Sequence, residues 1–231
     1  VTADPYAFGT LLDDATLRRL ADGSWRDAGL ALGAVLMEVD GIAGLRCAVW
    51  APNARRVAVV GDFNGWDGRR HGMRLRHAAG VWEIFIPGVQ PGERYKFAIT
   101  DNAGNQVLKA DPMARRCEDA PATASIVDDP APYAWTDGAW MQERGARQSP
   151  TAPLSIYEVH AGSWIARDAG SCLWDQLADK LPAYARSMGF THLELMPIME
   201  HPFGGPWGYQ PLGLFAPTAR YGPPAAFARF V

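Results

Sequence analysis

Cysteine is scarce: Cys47, Cys117 and Cys172 are the three in 231 residues, widely spaced and without a CxxC pair. A disulfide framework and a zinc site are both poorly served by that pattern, which leaves buried free thiols in a reducing compartment. Long apolar runs are missing too. The longest near the start, residues 30–37, is core-sized and well short of the roughly 20 residues that span a bilayer. No basic stretch followed by an apolar one opens the chain, so no secretory leader is read, although the first residue is Val1 and an upstream part is conceivable. Excess charge of either sign is also lacking, with 22 Lys and Arg against 25 Asp and Glu for a net charge of −3. The Arg pairs 18–19, 55–56, 69–70 and 115–116 are scattered along the chain, so a nucleic-acid surface is disfavoured. There is no repeat and no low-complexity tract. What is present is globular: 48% hydrophobic residues, enough length for one large or two modest domains, and 24 Gly with 18 Pro to supply many turns. Nine Trp form a rich stock of flat aromatic faces, the kind on which sugar rings stack.

The pattern divides the chain into four parts. Residues 1–33 read as a short helical piece, capped by Asp13 or Asp14 and carrying Leu17 and Leu20 three apart, the tail of a preceding N-terminal module. Residues 34–128 carry short β-rich runs at 45–50, 57–60, 81–86 and 94–100, each closed by Gly, Pro, Asn or Asp. That spacing predicts a small antiparallel sandwich. Residues 129–153 read as a linker with Pro130, Pro132, Pro150 and Pro153, pinned to a surface by Trp135 and Trp140. In 154–231, strands at 154–159 and 190–196 flank a helix whose stripe is Trp174, Leu177, Leu181, Tyr184 and Met188, with Pro182 inside it and Gly189 after it. Strand, helix, strand predicts a parallel βαβ unit. A Gly/Pro/aromatic loop follows, and Pro223-Pro224 open a last helix with Phe227, Phe230 and Val231 on one face.

Several residues are candidates for chemistry. Glu158 and Glu194 sit in mid-strand, either as an acid/base pair or as a packed polar layer; catalytic groups in such folds lie at strand ends, which favours the layer. Glu200 and His201 lie just past the second strand, where loop anchoring competes with a direct role. Pro206-Trp207-Gly208-Tyr209-Gln210-Pro211 offers an aromatic face beside an amide, a sugar platform or a turn that only packs. Asn64-Gly65 favours positive φ and presents Trp66, which with Lys96 makes a second sugar face or a structural corner.

Taken in order, Gly61-Asp62-Phe63-Asn64-Gly65-Trp66, Tyr95-Lys96-Phe97, Lys109-Ala110-Asp111-Pro112, Ser155-Ile156-Tyr157-Glu158-Val159-His160 with Gly162-Ser163-Trp164, residues 188–197, Glu200-His201-Pro202-Phe203 and Trp207-Gly208-Tyr209-Gln210-Pro211 resemble the bacterial glycogen (1,4-α-glucan) branching enzymes of the α-amylase superfamily. The resemblance implies a multidomain β plus α/β chain: an immunoglobulin-like sandwich of glycogen-binding type, then the first βαβ part of an incomplete (β/α)₈ barrel. It implies a cytoplasmic enzyme of glycogen synthesis that acts on α-glucan by retaining transfer, without cofactor or metal. Its nucleophile and acid/base would lie beyond residue 231, so no catalytic residue is assigned in this chain and the segment alone is expected to be inactive. The substrate-binding set is Tyr209, Gln210, Trp207, His201, Trp66 and Lys96, with Tyr209 lining the subsite next to the cleaved bond. A second sandwich Trp expected near residues 105–107 is absent, so docking on the barrel is the alternative role for this sandwich. Two other readings stand beside this one: a maltooligosyl trehalose hydrolase and a non-catalytic glucan-binding protein.

Overall fold

The computed structural model describes residues 4–24, 26, 28–76, 79–129 and 133–231. Helix α1 (Asp14–Ala21) precedes the strands β1 (Gly33–Val39), β2 (Ile42–Trp50), β3 (Arg56–Gly61), β4 (Arg74–Arg76), β5 (Val81–Pro87), β6 (Arg94–Thr100), β7 (Gln106–Lys109) and β8 (Ser125–Ile126). One antiparallel sheet has the order β1-β2-β5-β4; the other is β3-β6-β7, with β8 beside the start of β6. Alternate side chains from both sheets meet in one core: Leu45, Cys47 and Val49 of β2, Val57 and Val59 of β3, Trp82, Ile84 and Ile86 of β5, Tyr95 and Phe97 of β6. The expected runs at 45–50, 57–60, 81–86 and 94–100 all form as strands. β4 and β8 are too short, and β7 too exposed, to leave a period-two signature.

The middle strands of the first sheet, β2 and β5, are buried on both faces. The sheet's outer face is covered by the segment before β1: Leu12, Leu17 and Ala31 pack on Ala48 and Val81, and Phe8 meets Phe85 edge-on at 4.7 Å. Asp13 caps α1 by accepting from Thr16 N–H. The covering stretch ahead of α1 is irregular, so its backbone groups need partners. The outer face supplies them. Glu83, 2% exposed, accepts from the N–H groups of Leu11 and Leu12 at 3.3 and 2.9 Å. Arg76 donates to Leu12 O at 2.6 Å, pairs with Glu83 at 2.7 Å and reaches Asp14 at 3.0 Å. The helical piece read at the start of the chain thus lies on the sandwich as its cover.

Residues 111–127 close one end of the core around Asp111. Its buried carboxylate accepts from Tyr95 OH at 2.7 Å and Met113 N–H at 2.8 Å, while its own N–H donates to Ser125 Oγ at 2.9 Å. Burial raises the Asp111 pKa above the usual carboxylate value of 3.8, against the lowering effect of these donors. Between 3.8 and the raised value the native state holds a proton that the unfolded chain has lost. Stability from this group is therefore complete below the unfolded pKa and declines as pH rises through the folded one. Urea unfolding across pH 3 to 8 should show that decline, and Asp111→Asn should flatten it; an unchanged slope in the variant would remove Asp111 from the account.

The region read as a linker holds a helix, α2 (Gly138–Arg147). Trp135 is exposed and edge-on to Tyr133, whereas Trp140, beneath Arg147, lines a cleft with Pro182, Phe190, Leu193 and Phe230. No side chain of α2 is buried, so there was no apolar stripe to read. Pro130 and Pro132 lie outside the described residues.

The second unit contains β9 (Ile156–Val159), the one-turn α3 (Ala161–Trp164), α4 (Leu173–Ser187), β10 (His192–Leu195) and α5 (Pro224–Phe230). β9 and β10 pair in parallel, with Glu158 opposite Glu194. Trp174, Leu177 and Leu181 of α4 are fully buried, packed with Val159, Leu193, Leu195, Phe227 and Phe230. The stripe then turns to Ala185, and Tyr184 and Met188 are exposed. Pro182 sits inside the helix without ending it, and Gly189, at φ 84°, follows the C-cap. Val231 is exposed and not on the packed face of α5. No helix of the described residues is long and apolar enough to cross a membrane.

Candidate functional site

The loop from 199 to 218 is folded back on itself. Met199 bridges Pro217, Glu200 N–H donates to Ala216 O at 2.9 Å, and Leu212 N–H donates to Glu200 O at 2.8 Å. Inside it Glu200, 1% exposed, is a hub. Its carboxylate accepts from His201 N–H at 3.0 Å, Thr218 Oγ1 at 3.2 Å, Ala219 N–H at 2.6 Å and Arg220 Nη1 at 2.9 Å. Of the two roles open to Glu200 in the sequence, these contacts describe the anchor.

The hub holds a tight turn whose tip faces outward. Gly208 is buried at φ 86°, and a Cβ there would stand 2.7 Å from Pro197 O. Only glycine lets the backbone approach so closely in that conformation. Trp207, itself at φ 53°, and Tyr209 flank it and are 61% and 62% exposed; Gln210 is exposed beside them. His160, at the end of β9, brings its ring to 6.3 Å from that of Trp207, a neighbour the sequence reading did not pair with it. His201 lies on the inner side: it is buried, and its Nδ1 is 2.9 Å from Met199 O. Trp207, Tyr209 and Gln210 are thus all exposed on this turn, with His201 beneath it, 3.4 Å from where a Gly208 Cβ would stand. Flat apolar rings next to an amide can stack on a sugar's C–H face and hydrogen-bond its hydroxyls. Phe203, Leu214 and Phe215 of the same loop are also exposed; spread through a Gly/Pro loop, they carried no periodic signal.

A second surface lies on the outer face of the β3-β6-β7 sheet. Asp62 to Asn64 form one 3-10 turn, after which Gly65 and Trp66 both adopt positive φ, 61° and 62°. Trp66 Nε1 donates to Asp62 Oδ1 at 3.2 Å, and Asp62 is in turn gripped by Arg94 at 2.9 Å. The Arg94 hydrogen bonds lower the Asp62 pKa to about 2. Arg94, Lys96 and Ala98 alternate along β6, so Lys96 shares this face; its Nζ donates to Thr123 Oγ1 at 2.6 Å. In place of the missing second Trp, Gln106 and Leu108 of β7 are exposed on this face, opposite Thr100 and Ala98.

The two surfaces belong to units that touch. Ala216 of the loop packs with Ala114 and Cys117 of the sandwich, and a Cβ on Gly213 would lie 3.2 Å from Pro112 O. Burial there, with the nearby Glu200 charge, pushes the Cys117 thiol up to about 12. Glu158 and Glu194 stand opposite each other and are exposed on the uncovered face of the two-stranded sheet.

Residues 31–114 match the family carbohydrate-binding module 48 (isoamylase N-terminal domain). Along its whole length the chain is 66% identical, over 230 residues, to a 1,4-alpha-glucan branching enzyme GlgB of Bordetella parapertussis. It covers 31% of that relative. A Ralstonia nicotianae protein of the same name is 61% identical over 99% of this chain, which covers 30% of it. Among solved structures, a Salmonella typhimurium protein assigned provisionally as an alpha amylase shares 28% identity and a TM-score of 0.61, over 87% of this chain and 30% of that one. The resemblance drawn from the motifs is therefore borne out from end to end, and the chain spans about a third of the length of the curated relatives it matches.

Proposed function

We propose that this chain is the sandwich and opening βαβ unit of a 1,4-α-glucan branching enzyme, and that the βαβ unit begins a (β/α)₈ barrel. The observation that carries the reading is identity of 60–66% along essentially the whole chain to relatives bearing that name. The one-sided burial of β9 and β10 supports the barrel: parallel sheets are buried on both faces, and here only the α4 face is covered. The whole protein would cut an α-1,4 linkage through a carboxylate nucleophile and pass the freed segment to a sugar 6-hydroxyl in place of water. Both carboxyl groups of that reaction would lie outside these 231 residues.

In this chain Tyr209, with Trp207 and Gln210, would stack and orient a glucan at the end of the barrel strands. His201 would support the turn that carries them. Trp66 and Lys96 would hold a glucan strand on the sandwich. The partner is α-glucan in the cytoplasm, with neither nucleic acid nor membrane involved.

Loss of the amylose–iodine colour tests the division of labour. The 231-residue chain should leave the colour unchanged, and the full-length gene product should reduce it; branching by the chain alone would overturn the assignment. Release of trehalose by the full-length product would select the trehalohydrolase reading. Glycogen co-sedimentation of this chain should fall about tenfold with Trp66→Ala, the loss of one stacked ring. Unchanged sedimentation would leave the sandwich with a docking role only.

A further inference from the structure

The fold brings together Arg56 and the Arg69–Arg70 pair, which are dispersed in sequence. Residues 71–73 run antiparallel along the free edge of β3: Val59 N–H donates to His71 O at 3.0 Å, Met73 N–H to Val57 O at 2.8 Å, and Ala58 bridges Gly72. This antiparallel pairing carries Arg69 and Arg70 toward the Val60 end of β3, and the Arg56 side chain reaches back to them along the strand: its Nη2 donates to Gly68 O and would lie 3.7 Å from a Cβ on Gly72. Gly68 lies across the outer face, where a Cβ would be 3.5 Å from Val60 Cγ1 and 3.7 Å from Ala98 Cβ. Trp66 opens the same crossing.

Arg56, Arg69 and Arg70 are exposed here, in a chain of net charge −3. The acid set among them is Asp67. It accepts from Arg69 Nε at 2.9 Å and Nη2 at 2.8 Å, and stands 3.8 Å from Arg70 Nε. Arg69 is braced by those two donors, which leaves Nη1 for a ligand. The Arg70 contact is too long for a hydrogen bond, so its fork is also available. A planar guanidinium fork matches the oxygens of a phosphate ester, and an indole face matches a hexose ring.

We propose that Trp66, Arg56, Arg69 and Arg70 form a subsite for a phosphorylated hexose, the ring against the indole and the phosphate in the arginine fork. The proposal rests on the reading of this face as a sugar surface and adds the charged form it prefers. The same chemistry comes from two sources, a phosphate ester carried on a glucan chain or a free hexose phosphate.

Affinity electrophoresis of the 231-residue chain tests it, in gels containing phosphate-bearing amylopectin or the same polymer after phosphatase treatment. The phosphorylated polymer should retard the chain with about tenfold greater affinity. That preference should shrink toward 1 M salt, where the screening length is about 3 Å. It should vanish in Arg70→Gln and in Arg56→Gln/Arg70→Gln, and persist in Arg144→Gln, which removes the same charge from α2. Competition by glucose 6-phosphate would identify the free ester as a sufficient ligand; preference without competition would identify the chain-borne ester. Equal binding of both polymers overturns the subsite and leaves the sugar surface standing, and binding of neither overturns both. Equal loss in Arg144→Gln would reduce the effect to overall charge and overturn the subsite.

Discussion

Glu83→Ala should cost about 3–5 kcal/mol of unfolding free energy, the usual price of removing one partner from a buried ion pair. The side chains of Glu83 and Arg76 are 2% and 14% exposed, so the abandoned guanidinium would gain little water. Two backbone N–H groups, of Leu11 and Leu12, would lose their acceptor at the same time. The loss should appear as a lower urea midpoint in tryptophan fluorescence, and as faster protease cleavage between residues 9 and 13. The double variant Glu83→Leu/Arg76→Met should recover much of the midpoint, because an apolar pair carries no unpaired charge. It should still release the N-terminal cover, since Leu12 O and the two N–H groups stay unsatisfied. A shift below about 1 kcal/mol in Glu83→Ala, the size of an exposed pair, would show that the cover is held by its apolar contacts alone.

That network also shows where the sequence was legible. β6 and α4 announced themselves through periods of two and 3.6, because each has one face on a core and one toward water. β2 and β5 departed from alternation, since a segment far away in sequence buries their second face. Nothing in the residues before α1 signals a cover: its backbone is satisfied by Arg76 and Glu83, more than 60 residues away. α2 escaped notice for the opposite reason, having no buried face to leave a stripe. At the candidate site, Tyr209 and Trp66 were visible as aromatics set beside glycines. The clustering of Arg56 with Arg69 and Arg70 was not, because it depends on the Arg56 side chain reaching Gly68 O, on a segment that the pairing of residues 71–73 holds against β3.

Glu200→Ala is the corresponding experiment on the loop. Its carboxylate takes four donors, and the Arg220 partner would be left half-sheltered with 27% of its side chain exposed. The expected loss is again about 3–5 kcal/mol, but confined to detachment of residues 199–218, so the far strands of the sandwich should keep their hydrogen-exchange protection. Glu200→Gln retains one acceptor oxygen and the side chain's shape, and should cost less, about 1–3 kcal/mol. Exchange at the amides of Leu212, Ala219 and Thr218 should therefore rank alanine above glutamine above wild type. Because Trp207 and Tyr209 ride on this loop, glucan binding measured in a Trp66→Ala background should weaken in the same order, isolating the loop from the sandwich surface. Affinity that stays constant while the loop amides open would separate the anchor from the sugar platform, and would mean that Tyr209 and Trp207 do not hold glucan through this geometry.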